Sequence, residues 1–419
     1  MKRALLLTLA ALIVAPAYGA TRIEIDDGPS ADAFGRLRTS GTGNRIDVEF
    51  IYNKQEEFFD EIIGGGGSVT WNSASRDLTI AISDTNSNTS GEMRSHPVPY
   101  TPGNSQLIEM TGALDAAALG GGSAEVFLRS TVTGTTTEET VSQSAWITQP
   151  GVDWSKSQIF VIDFQSLKTG RIRYGLNMGG QYVPVAKIGN DNKRTSGFWQ
   201  LPSLPVFWRL YNDGTNTIAE LGYGDDLNAV GYRYTHSGHD TNATLRAICC
   251  TVKSEGGAAL QDLPGLPRSA NMGVTEKTVS TVALPILSIR PKAQFQGVTN
   301  MAIVLPKSLT VTTDAPIRFD VVHDATLVGA SWTDVDTSLS CMEYDTSATN
   351  MTGGHVVYSD YIAVAGGNAA ADKQGLLGKT VLWHRRGSNG ETGIFTLRAI
   401  KTAASDADVL GAINWEEIK

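Results

Sequence analysis

Apolar and polar residues alternate with a period of two in many short runs along this chain, and clusters of Gly, Pro, Asn and Ser separate the runs. That pattern predicts half-buried strands joined by tight turns. It is densest from Ser157 to Tyr211. There Ile159-Phe160-Val161-Ile162-Asp163-Phe164 is nearly unbroken and β-branched or aromatic, which predicts a strand buried on both faces. After a turn at Lys168-Thr169-Gly170 the alternation becomes strict. Ile172, Tyr174, Leu176 and Met178 fall on one face, and Arg171, Arg173, Gly175 and Asn177 on a face expected to be solvated. Gly179-Gly180 suits a primed hairpin turn, and Tyr182 to Ile188 runs back as a strand that Pro184 places at a sheet edge. Val206 to Tyr211 is expected to close this antiparallel meander.

Similar runs flank it at Ile46–Tyr52, Leu78–Ile82, Leu107–Gly112, Glu125–Arg129, Val141–Trp146 and Leu245–Val252. Phe58, Phe59, Ile62 and Ile63 mark a further apolar segment, and Gly64 to Gly67 turns the chain into Ser68-Val69-Thr70-Trp71. From Ser254 to Gly273 the composition shifts to Gly, Ala and Pro, which marks a linker. A second strand series follows to the C-terminus, including Val381–Arg385. The expected architecture is all-β: two tandem antiparallel β-sandwiches, jelly-roll-like, at 46–255 and 274–419. A linker at 256–273 joins them, and an extended N-terminal arm at 21–45 precedes them.

Composition fits that reading. A chain of 419 residues has room for two cores, and 44 glycines with only 18% charged residues suit many tight turns. The formal net charge of -9 excludes a general nucleic-acid binder, which needs a positive surface to neutralise phosphate. Cys249, Cys250 and Cys341 are odd in number, and two are adjacent on one strand and so face opposite sides; free thiols are expected.

Lys2 and Arg3 precede an apolar run from Ala4 to Val14, with small residues at Ala17-Tyr18-Gly19. Residues 1–20 therefore read as a secretory signal, or as an apolar segment that anchors the chain in an assembly, or as the product of a start codon placed too far upstream. The first would make the protein secreted or periplasmic.

Candidate chemistry is sparse. His236-Ser237-Gly238-His239-Asp240 offers two imidazoles and a carboxylate but no fourth zinc ligand nearby. Asp225 and Asp226 follow two glycines in a turn that could offer oxygens to calcium, although a solvated turn explains them too. Glu56, Glu57, Asp60 and Glu61 cluster along the chain, but glycosidases need carboxylates facing one another across a cleft. No nucleophile elbow or dinucleotide fingerprint occurs. No catalytic residue, metal or cofactor is assigned. Trp154, Trp199 and Trp208 lie in or near the meander, where aromatic faces can stack on sugars or fill a protein interface; Trp208 is expected in the core, whereas Trp199, beside Gly197, Phe198 and Gln200 in a loop, is expected at the surface as a glycan or partner contact.

Several segments resemble those of a family of tailed-bacteriophage virion structural proteins. They are Asp32-Ala33-Phe34-Gly35-Arg36-Leu37-Arg38-Thr39-Ser40, Gly66–Trp71, Gln158–Gln165, Gly170–Gly175, Leu287–Arg290 and Gly353-Gly354-His355. The resemblance implies a tail, fibre or capsid-surface component with a lectin-like first domain. It also implies partners that are other virion proteins and further copies of this chain, and no enzymatic activity. Under it, Phe34, Arg36, Leu37 and Arg38 would anchor the arm on a neighbouring subunit, an apolar plug beside guanidiniums that grip carboxylates. The alternatives are a lectin-like glycan-binding module, on a particle or secreted, and a secreted glycoside hydrolase or lyase.

Overall fold

The computed structural model describes residues 43–419 apart from 57, 84–87, 102, 115–120, 133, 200–201, 239–241, 256–264, 301, 365–368, 375–392 and 419. The expected arm, with Phe34, Arg36, Leu37 and Arg38, and the strand expected at 381–385 lie outside the described residues.

The fold is all-β, with one short 3-10 turn at Gln143–Ala145 among the described residues. The first sandwich comprises β1 (Gly43–Glu49), β2 (Phe59–Gly64), β3 (Gly67–Asn72), β4 (Asp77–Ile82), β5 (Ser90–Ser95), β6 (Gln106–Leu114), β7 (Ser123–Val132) and β8 (Thr135–Ser142). It continues with β9 (Gln158–Phe164), β10 (Ile172–Met178), β11 (Gln181–Ile188), β12 (Val206–Asn212), β13 (Asn216–Gly224), β14 (Ala229–Ser237) and β15 (Thr244–Ser254). Eight strands form one sheet in the order β11-β10-β9-β6-β15-β4-β3, with β1 also on β15. Seven form the other, β2-β5-β12-β13-β14-β7-β8. The strands of both sheets pair antiparallel, and the facing sides share one apolar core that includes Ile80, Ile108, Phe160, Ile162, Trp208 and Tyr232.

The expected meander exists from β9 to β11. Met178 pairs with Gln181 around a two-residue turn in which Gly179 and Gly180 both have positive φ, 61° and 79°. Both glycines are required there, because a primed turn places its two central residues in the left-handed region. β11 lies at a sheet edge, and the Pro184 carbonyl accepts from the Thr148 hydroxyl, so a loop covers part of that edge. Two expectations fail. Val206–Tyr211 does not close the meander, because β12 joins the opposite sheet between β5 and β13. The second face of β10 is not solvated either: Arg173 is buried and pairs with the buried Asp163 of β9. An arginine counts as polar in a pattern, yet a carboxylate on the adjacent strand lets it go inside.

At Gly64–Gly67 the chain passes from one sheet to the other. A Cβ on Gly67 would stand 1.8 Å from the Ser90 carbonyl oxygen, so no side chain fits at that corner. Buried tyrosines tie the sheets together. The Tyr174 hydroxyl of β10 donates to the Phe127 carbonyl at 2.7 Å, and the Tyr232 hydroxyl of β14 reaches the Gly175 carbonyl at 2.6 Å. Burial raises the pKa of both phenols.

The second sandwich packs a sheet built on the C-terminal strand Ala407–Ile418 against one that contains Leu284–Pro291, Phe395–Lys401 and Ile317–His323. Strand Leu266–Asn271, inside the expected linker, pairs with Ala407–Ile418. Pro264 and Pro267 drew the linker too long, since Pro267 sits on an edge strand where its missing N–H costs nothing. Cys249, Cys250 and Cys341 are free thiols, and burial pushes the first two above the ordinary thiol pKa.

Candidate functional site

The outer face of the seven-stranded sheet holds the densest polar cluster described. On β12, Val206, Trp208 and Leu210 point into the core, so Phe207, Arg209 and Tyr211 take the other face. Strand register then aligns Glu92, Arg209, Glu220, Arg233 and Glu125 in one row across β5, β12, β13, β14 and β7. Charge alternates in sign along that row, so each of the three inner members meets an opposite charge on either side.

Glu220 is its centre and is fully buried. It accepts from Arg129 at 2.9 Å, Arg233 at 2.8 Å and the Tyr211 hydroxyl at 3.4 Å, and Arg209 stands 3.7 Å away. Arg209 also grips Glu92 at 2.8 Å and contacts Asp226, while Arg233 reaches Glu138 and Glu125. Burial works to lower the Arg209 and Arg233 pKa values, but the surrounding carboxylates outweigh it and raise both.

The neighbouring row is Arg94, Phe207, Gly222, Gly231 and Phe127. Gly222 and Gly231 leave the middle of the sheet bare, since a Cβ on Gly222 would meet the Val230 carbonyl oxygen at 2.1 Å. Phe127 and Phe207 are fully buried on this outer face. Arg233 and Arg129 cover Phe127 at 4.6 Å and 5.2 Å from the ring centre, and Arg209 covers Phe207 at 5.3 Å. The face is thus a closed plate: rings beneath, guanidiniums over them, carboxylates between.

Burial works to raise the pKa of Glu138, but the hydrogen bonds and charges of Arg233 and Arg129 outweigh it and hold it below the usual value. Asp226 is lowered in the same way against burial, by Arg209 and Arg94. A depressed folded-state pKa contributes stability that is present above the unfolded value and lost as pH falls through the folded one. The first sandwich is therefore expected to lose melting temperature below about pH 4. Thermal melts of wild type and Glu138→Gln between neutral and acid pH check this, and the gap between the two should shrink as pH falls.

Phe198 and Trp199 are not at the surface. Both are fully buried, in the segment that carries the chain from β11 to β12. The Trp199 ring packs on Phe164 of one sheet at 5.3 Å and Tyr223 of the other at 6.2 Å, and its Nε1–H donates to the Arg129 carbonyl at 3.2 Å. It closes the end of the sandwich, so it offers nothing to a glycan. Trp154 is half-buried and stacks on Phe160. Trp208 is in the core as expected.

The turn at Asp225-Asp226 has no calcium geometry. Asp225 Oδ1 accepts the Leu227 and Asn228 amides, and Asp226 Oδ1 accepts from Arg94 and Arg209. Asp60 and Glu61 are neighbours on β2 and point to opposite faces, and Glu61 pairs with Lys54. Glu57, His239 and Asp240 lie outside the described residues. Among the described residues no group of three or more His, Cys, Asp or Glu is placed to hold a metal ion.

No protein-family model and no curated protein matches the sequence. Solved structures similar to part of the chain include lectin I-B4 from Griffonia simplicifolia, at 13% identity and TM-score 0.20, over 50% of this chain and 100% of that one. An endo-1,3-beta-glucanase from Streptomyces sioyaensis matches at 11% identity and TM-score 0.22, over 52% and 98%. A legume lectin-like domain from Entamoeba histolytica matches at 11% identity and TM-score 0.20, over 51% and 98%. These likenesses say nothing of what this chain is or binds.

Proposed function

We propose that this chain is a non-catalytic structural protein of a tailed-bacteriophage particle, a tail, fibre or capsid-surface component built from two β-sandwiches. The observation that supports a non-catalytic role is the charged plate on the seven-stranded sheet. Glu92, Glu125, Glu138 and Glu220 are all held by arginines of the same face, which favours a stiff surface over two carboxylates poised across an open groove. The particle setting rests on the resemblance carried by Asp32–Ser40 and the segments after it. Antibody against the chain should label purified tailed particles in electron micrographs, and particle digests should yield its peptides. Particles that lack the chain would overturn the reading.

The arm gives a sharper test. Phe34→Ala is expected to keep the chain out of particles while the purified variant melts like wild type, because residue 34 precedes the first sandwich. Incorporation at wild-type level would remove Phe34 from the assembly contact.

Glycan binding is the second reading, on a particle or as a secreted module. It is favoured by a polar cleft that carries a strongly exposed tyrosine.

A further inference from the structure

We propose that the cleft between the β1–β2 loop of the first sandwich and two turns of the second is a binding site for a neutral mono- or disaccharide, an assignment that rests on the glycan-binding reading. Tyr52, Asn53, Gln55 and Glu56 line one wall, and Asp324, Gly354 and His355 the other. The cleft encloses about 560 Å³, within the usual size of small-ligand sites.

The first wall is fixed before any ligand arrives. Asn53 Oδ1 accepts the Gln55 amide at 2.8 Å, and the Gln55 side chain donates to the Glu49 carbonyl at 3.3 Å. The Gln55 carbonyl accepts the Phe58 and Phe59 amides, and the flanking Phe50 and Ile51 carbonyls accept from Trp71 and Arg76. On this braced loop the Tyr52 side chain is 75% exposed. Its ring matches the apolar C–H face of a sugar while its hydroxyl stays wet.

The second wall is equally constrained. Gly353 and Gly354 have φ of 67° and 78°, and a Cβ on Gly354 would come within 2.9 Å of Val322, His323 and Ala325. That close turn sets His355 at the start of strand His355–Ile362. Asp324 is held by its amide on the Ile394 carbonyl at 2.8 Å, with the imidazole of His323 3.0 Å from its carboxylate.

The chemistry suits hydroxyl groups. Amides, carboxylates and an imidazole offer donors and acceptors in the planar arrangements that pair with vicinal hydroxyls, beside one aromatic face. Glu56 and Asp324 line the cleft with no Lys or Arg among the lining residues. Two carboxylates among the lining residues disfavour a sialic or uronic acid, which selects neutral sugars.

The test uses the full chain on an array of neutral and acidic oligosaccharides, followed by calorimetric titration with the neutral sugars retained. Wild type should bind neutral sugars, and Tyr52→Ala and His355→Ala should each weaken binding roughly tenfold or more. Tyr361→Ala, another exposed tyrosine, should leave it unchanged. If wild type ignores every glycan, the glycan-binding reading falls and the site with it. If neutral sugars bind wild type and both cleft variants equally, glycan binding stands and the cleft is overturned. Binding confined to acidic sugars would overturn the neutral assignment.

Discussion

Glu220→Ala is expected to cost the first sandwich about 3–5 kcal/mol, because it removes the buried central carboxylate on which three guanidiniums converge and leaves them crowded together with one negative charge fewer. Here the partners are Arg129, Arg233 and Arg209, each with only 11–12% of its side chain exposed. In a domain of this size that loss corresponds to roughly 10 °C or more in melting temperature. Glu220→Gln keeps acceptor capacity and loses the charge, so it should fall between. Glu139→Ala is the control. Its pair with Lys193 is solvated on both sides, and such surface pairs contribute about 0–1 kcal/mol. Equal melts for the Glu220 and Glu139 variants would show that the row is a surface decoration and not a structural plate.

Trp199→Ala is expected to be as damaging for a different reason. It removes the largest side chain at the end of the sandwich and opens a cavity lined by Phe164, Phe198 and Tyr223, at about 3–5 kcal/mol. It also removes the hydrogen bond from the indole N–H to the Arg129 carbonyl. Trp199→Phe should recover most of the packing but not that hydrogen bond. The measurement is a denaturant melt followed by tryptophan fluorescence and circular dichroism. A Trp199→Ala protein as stable as wild type, with altered glycan binding, would return the residue to the surface role its loop position suggests.

The two variants also show which residues sequence reasoning could find. The loop position of Trp199, beside Gly197, Phe198 and Gln200, suggests exposure. Its burial comes from ring contacts with both sheets, Phe164 on one and Tyr223 on the other, which no local pattern along the chain reveals. The charged row was missed altogether. Each strand carries only one or two charges at alternate positions, as in Phe207-Trp208-Arg209-Leu210 or Ala219-Glu220-Leu221, and each alone looks like an ordinary solvated face. The available signal was that these lone charges alternate in sign from strand to strand. Using it requires knowing that β5, β12, β13, β14 and β7 are neighbours in space, which is not their order in the chain.

Local chemistry was legible. Period-two alternation, β-branched runs and turn glycines depend on neighbours within a few residues, so the strands β9 to β11, the Gly179-Gly180 hairpin, the edge position of Pro184 and the free thiols follow from the sequence alone. The tertiary structure decided everything that depends on which strands meet: the transfer of β12 to the opposite sheet, the burial of Arg173 against Asp163, the convergence of Arg129, Arg209 and Arg233 on Glu220, and the cleft that brings Tyr52 to His355. The physical reason is the range of the forces. Backbone preference and alternation act along the chain, whereas a buried charge or an open cleft is defined by groups on different strands that only folding brings together, and hydrophobic burial draws in whole sheets without naming which strand lies beside which.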